Sequence, residues 1–275
     1  MALRSRLACA ALIVGLLGLA GRAQPAPGVE ALDRLLDLYV RDGLVYYAAL
    51  RLDRTGLDRF VRSIAAEPPG FAGWPPADGK AFWINAYNAL VLRTVIDHYP
   101  IRGGTTSYPA DSIRQIPGAF DGRTHRVAGR TLTLDAIETG VLPAFGDPRL
   151  FLALGRGAVG SGRLRSEAYA GGRLEAQLAA AVEEFATDPR HVRLDRIAEE
   201  VRVSAILGWR AVDLIAAHAD GGWNGAGRAP IERAILTLVE PSLFPSEQAF
   251  LRANEFTLRY QPFDWRLNDL TGGPP

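Results

Sequence analysis

The chain has 275 residues, 48% hydrophobic and 22% charged, an ordinary mix for a packed globular protein long enough to stabilise itself by burial as one domain. Its formal net charge is +1, with basic residues scattered singly and no Lys/Arg stripe, which argues against nucleic acid as a partner. Cys9 is the only cysteine, which excludes an intramolecular disulfide framework.

Met1 to Arg6 is a basic lead, and Leu7 to Ala20 is apolar, which is the pattern of a secretory signal. Gly21 and Ala23 place a cleavage before Gln24, so residues 1–23 are expected to be a signal peptide and residues 24–275 the globular domain. The apolar run is shorter than the roughly 20 residues that span a bilayer. Cys9 lies near its start, where it cannot mark a lipoprotein cleavage. An exported protein, periplasmic or extracellular and without a stable membrane span after processing, is the expectation.

Beyond the linker, Val29 to Arg41 and Asp53 to Ala66 carry apolar residues at helical spacing. Glu67 to Asp78, rich in Pro and Gly, reads as a loop. Lys80 to Tyr99 is apolar on nearly every side, which predicts a buried central helix closed by Pro100. Thr124 to Leu134 alternates around Ala128-Gly129 and predicts a hairpin, after which Thr133 or Asp135 caps a helix through Ile137 and Leu142. Arg149 to Leu154 reads as a short buried strand and Gly155 to Gly162 as a loop. Helices are expected over Leu174 to Phe185, Ala205 to Ala219 and Ile231 to Val239, and a final strand within Phe256 to Asp269. The sum is an α+β fold, helix-dominated, with a buried central helix and a small sheet.

Gly155-Arg156-Gly157-Ala158-Val159-Gly160 is a formal GxGxxG, but the loop continues through Arg163 and no second strand follows the next helix, so nucleotide binding is not expected. No HExxH, Walker loop, cysteine pair or GxSxG is present, and His98, His125, His191 and His218 lack ligand spacing. Neither a metal nor a cofactor is implied.

AFWINAYNALVLRTVIDHYP at Ala81 to Pro100 resembles the most characteristic segment of the DUF547 family, a domain of unknown function. The blocks at Ile116 to Glu138 and Phe145 to Gly171 are similar to the family's next two in order and spacing. LYVRDGLVYYAAL upstream and FDWRLND at Phe263 to Asp269 resemble its lead-in and closing motif. The family's loop typically reads HFALNCGAVGCPPL, and here the stretch is FLALGRGAVGSGRL. Phe151 stands where the family has His, Arg156 and Ser161 where it has its two cysteines, and Gly162-Arg163 in place of Pro-Pro. A thiolate beside a His is a nucleophile, so the resemblance implies a thiol site that this chain has lost. A guanidinium is permanently charged and donates only, which suits a carboxylate or phosphate instead.

Three functions follow from that loop. The favoured expectation is a non-catalytic cell-envelope binding protein holding an anionic or peptide ligand at Arg156. A hydrolase or acyl transferase of papain-like or transglutaminase-like kind would use Ser161 with a distant base such as His125 or His191. A structural envelope scaffold is the third. By matching motif positions the candidate binding residues are Arg156, Trp83, Asn85, Tyr87, Asn88, Glu138, Glu167, Tyr169, Asp264, Trp265 and Asn268. Trp83 and Tyr87 suit core positions better than ligand contacts, and Asn85 and Asn88 suit either tying down a loop or facing a cavity. A Glu138 or Glu167 carboxylate paired with Arg156 would make the arginine structural.

Overall fold

A computed structural model describes residues 28–218, 223 and 227–271. The expected signal peptide and cleavage point lie outside these residues. The first part of the chain wraps one helix. Helix α1 (Val29–Tyr39) leads through strands β1 (Val40–Arg41) and β2 (Leu44–Val45) to α2 (Tyr47–Leu52) and α3 (Thr55–Ser63). Together they pack around α4 (Pro76–Ile96). Pro76 sits at the start of α4, where its missing N–H costs no helical hydrogen bond. The apolar residues of α4 show no single face because nearly all of them are covered, Tyr87 and Leu90 completely.

The predicted hairpin is strands β3 (His125–Val127) and β4 (Arg130–Leu132), paired with Val127 opposite Arg130. Its turn residues Ala128 and Gly129 have φ of 48° and 72°, the left-handed pair that a two-residue turn of this hand needs. Ala128 and Gly129 also donate their N–H groups to the Ile64 and Ala65 carbonyls, which pins the turn to the end of α3. The Thr133 side chain then accepts from Ala136 N and starts α5 (Leu134–Ala136), which runs on as a π-helical turn over Ile137–Val141.

Helix α6 (Leu174–Thr187) joins two hydrophobic cores. Leu174 and Leu178 belong to the core around α4, while Val182 and Phe185 belong to a second. That second core lies among strands β5 (Val192–Asp195) and β6 (Glu200–Ser204), helices α7 (Ala205–Trp209), α8 (Ala211–His218), α9 (Pro230–Val239) and α10 (Pro245–Ala253), and strand β7 (Thr257–Gln261). The sheet order is β5-β6-β7, with β5 and β6 antiparallel and β6 and β7 parallel. The result is a helix-dominated α+β domain with small sheets.

Several elements differ from expectation. Arg149 to Leu154 is not a strand but follows a 3-10 turn over Pro148–Leu152, because Asp147 caps the Arg149 N–H and Pro148 fixes a helical φ. The helix expected over Ala205 to Ala219 is broken at Arg210 into α7 and α8. Strands β5 and β6, α2 and α10 had no strong sequence signal.

Candidate functional site

Positions 151 to 163 form a loop that α4 holds from beneath. The Asn88 side chain donates to the Ala153 carbonyl (3.1 Å) and accepts from Gly155 N (2.8 Å), while Asn85 makes the same two-way tie with the Tyr169 backbone. Gly157 needs its left-handed φ of 66°, and a Cβ at Gly162 would overlap the Leu152 carbonyl. A Cβ at Gly160 would crowd Asp264 N at 2.6 Å. The glycines thus allow close packing of backbone on backbone. The loop is largely buried, and Val159 and Gly160 donate to the Arg266 and Asp264 carbonyls.

This loop turns Arg156 inward. The residue is 2% exposed and its side chain faces Glu138 on the π-helical turn, with Nη2 2.5 Å from Oε1 and Nε 3.2 Å from Oε2. Nη1 donates to the Phe151 and Leu154 carbonyls at 3.3 and 3.4 Å. Tyr87 donates to Glu138 Oε2 at 3.0 Å. Burial alone would raise the Glu138 carboxyl, but the charge and hydrogen bond of Arg156, with the Tyr87 bond, hold it below its ordinary value. Burial and the Glu138 charge push the Tyr87 hydroxyl well up. The result is an ionised, fully partnered carboxylate–guanidinium pair.

Above the pair opens a pocket of about 200 Å³ lined by Arg114, Phe120, Asp135, Thr139, Trp209, Arg210 and Trp265, with Glu138 and Arg156 at its floor. Trp265 packs 4.3 Å from Phe263 and 5.9 Å from Phe120, and Trp209 stacks at 6.0 Å from Trp265. The Arg114 guanidinium lies over the Trp265 and Phe120 rings at 4.4 and 4.6 Å and makes no ion pair among the described residues. Arg210 covers the Phe151 ring at 4.1 Å and pairs with Asp213, but its Nε is shielded from solvent without a hydrogen-bond partner. Burial raises the Asp135 carboxyl, a shift that Arg114 opposes.

Of the residues singled out from the sequence, Arg156, Glu138 and Trp265 meet at this pocket and Tyr87 lies behind Glu138. The others are elsewhere. Asn268 ties Tyr47 to the Gly43 carbonyl, as Asn85 and Asn88 tie their loops. Trp83 is core, edge-on to Phe71 and Phe82, and Tyr169 is 2% exposed with an unpartnered hydroxyl. Glu167 pairs with Arg165 and Arg173, and Asp264 with Arg266. Ser161 is buried, and its hydroxyl accepts from Arg156 N at 2.9 Å. His191 reaches the Ser161 backbone rather than its hydroxyl, and burial lowers its imidazole to about 4. Arg114, Phe120, Trp209 and Arg210 were missed, since they come from two segments far apart in sequence and none belongs to a standard catalytic or binding motif. No group of three or more His, Cys, Asp or Glu suited to a metal occurs among the described residues. No helix among them is long and apolar enough to cross a membrane.

What fold and site define is an α+β domain whose buried ion pair floors an aromatic pocket. Residues 71–186 match the family model DUF547, described as a protein of unknown function, so this part of the chain is similar to that family. No curated protein and no solved structure shows a significant match. The matched region contains α4, Glu138, Arg156 and α6 but ends before Trp209, Arg210 and Trp265.

Proposed function

We propose that this chain is an exported, non-catalytic binding protein of the cell envelope that holds the carboxylate end of a peptide or a similarly small anionic ligand in the pocket above Glu138 and Arg156. One observation carries the reading. The Arg114 guanidinium has no ion-pair partner among the described residues and stands beside a wall of Trp209 and Trp265, where Arg210, paired with Asp213, adds a second positive charge. The Arg156 charge is already matched by Glu138, so the receptor role passes to Arg114 and Arg210, with Arg156 supporting the floor. A pocket of about 200 Å³ suits one terminal group rather than a whole ligand.

Loss of catalysis is supported by the same loop. Arg156 cannot act as a nucleophile, and the Ser161 hydroxyl serves as a backbone cap with no histidine hydrogen-bonded to it among the described residues. Titration with N-acetyl dipeptides, free acids against C-terminal amides, tests the reading through the fluorescence of Trp209 and Trp265. The free acids should quench and the amides should not, with Arg114→Ala weakening the acids about tenfold, the scale of one charge-assisted hydrogen bond. Equal response to acids and amides, or full affinity in Arg114→Ala, would remove the proposal. Alkylating reagents should leave binding unchanged, because residues 24–275 hold no thiol.

A further inference from the structure

A second concavity of about 400 Å³ lies away from the aromatic pocket, between the end of α3, the end of α4 and the β3 strand. It is lined by Arg62, Arg93, Asp97, His98, Arg123, His125 and Arg126 among others. The arginines are isolated in the chain, yet the fold gathers them. Two of the local guanidiniums are neutralised, since Arg54 and Arg93 pair with Asp58 and Asp97. Arg62, Arg123 and Arg126 have no carboxylate within 4 Å among the described residues, and all three are exposed. Among the described residues the Arg123 side chain donates only to the Pro117 carbonyl. His125 Nε2 is shielded from solvent with no hydrogen-bond partner, a donor or acceptor left unused inside the cleft wall.

We propose that this cleft is a second ligand site, one that takes a phosphoryl dianion. Three unmatched guanidiniums exceed what a single carboxylate would neutralise, and their forked donors fit the several oxygens of a phosphoryl group. The volume accommodates a small phosphate ester or a lipid headgroup. Burial first, then the charges of Arg93 and Arg123, lower the His125 imidazole, and a bound dianion would reverse the latter effect. The competing account is that Arg62 and Arg93, in the last turns of their helices, serve only the helix ends.

Calorimetry with inorganic pyrophosphate, and cosedimentation with vesicles containing phosphatidic acid, distinguish the two sources of the group. Binding of pyrophosphate assigns a soluble phosphate ester, and binding of vesicles alone assigns a headgroup. Either supports the site if Arg62→Ala, Arg123→Ala and Arg126→Ala each weaken it about tenfold while Arg196→Ala, on the distant β5–β6 turn, does not. Added salt should weaken binding. The His125 imidazole resonance should titrate higher with the probe bound. Failure of both probes to bind, or binding that survives the triple variant, overturns the proposal. A fall in thermal midpoint for Arg62→Ala without any probe binding would leave the arginines as helix caps and equally overturn it.

Discussion

Arg156 and the trio Arg62, Arg123 and Arg126 are the same side chain in opposite surroundings. Arg156 is 2% exposed and its side chain makes four hydrogen bonds, two of them to one carboxylate. The trio is exposed, with no ion-pair partner among the described residues. A buried charge survives only when matched, so Arg156 is committed to the fold. An exposed charge is hydrated and costs little to leave unmatched, so the trio is free for a ligand. Counting arginines would have missed this, because position in the fold decides which cation is available.

The comparison breaks most visibly at the floor. Glu138→Ala, which leaves Arg156 charged and alone, should cost about 3–5 kcal/mol in urea denaturation. Replacing both, Glu138→Leu with Arg156→Met, should return stability to within about 1–2 kcal/mol of the parent, since an apolar pair of similar volume needs no solvation. A mild single variant would mean the pair is less enclosed than its geometry. Asn88→Ala is expected to rank next, at about 2–4 kcal/mol, by leaving the Ala153 carbonyl and Gly155 N–H unpaired in the interior.

Acid provides a smaller effect at a third kind of site, one partly buried. Asp147 is lowered to about 2, where burial opposes and the Arg149 and Lys80 hydrogen bonds prevail. Because the folded value lies below the unfolded one, this stabilisation is full above about pH 4 and lost as pH falls towards 2. Asp147→Asn should therefore be about 1–2 kcal/mol less stable than the parent at pH 7, with the gap closing in acid. A gap that persists at pH 2 would assign the loss to packing. Smallest of all, Arg62→Ala should change stability by less than about 0.5 kcal/mol at pH 7.

Much of the fold was legible where one local rule acts alone. The unbroken apolar run of α4 can only be surrounded, the Ala128-Gly129 pair can only turn, and Thr133 does cap the helix after it. Where two rules compete, the sequence misleads. The apolar run after Arg149 has strand composition, but Asp147 and Pro148 set a helical turn first. Strands β5 and β6 carry outward arginines, Arg193 and Arg202, that dilute the apolar signal of Val192, Val201 and Val203. At the site, the altered loop pointed to Arg156, and pairing with Glu138 was one of the foreseeable outcomes. Of the pocket wall the sequence named Trp265 alone, since Arg114, Phe120, Trp209 and Arg210 join it only by tertiary packing.

The segment after β7 reaches back across the whole domain. Asp264 and Arg266 accept hydrogen bonds from the 155–163 loop, Trp265 closes the pocket, and Asn268 and Leu270 pair with Val45 near the opposite end of the sequence. A chain leaving the ribosome releases these residues after everything they clasp. The region around α4 can collapse earlier, but its pocket stays doorless until the last few residues of the clasp have emerged. In chain order the aromatic pocket is therefore completed after every element it rests on.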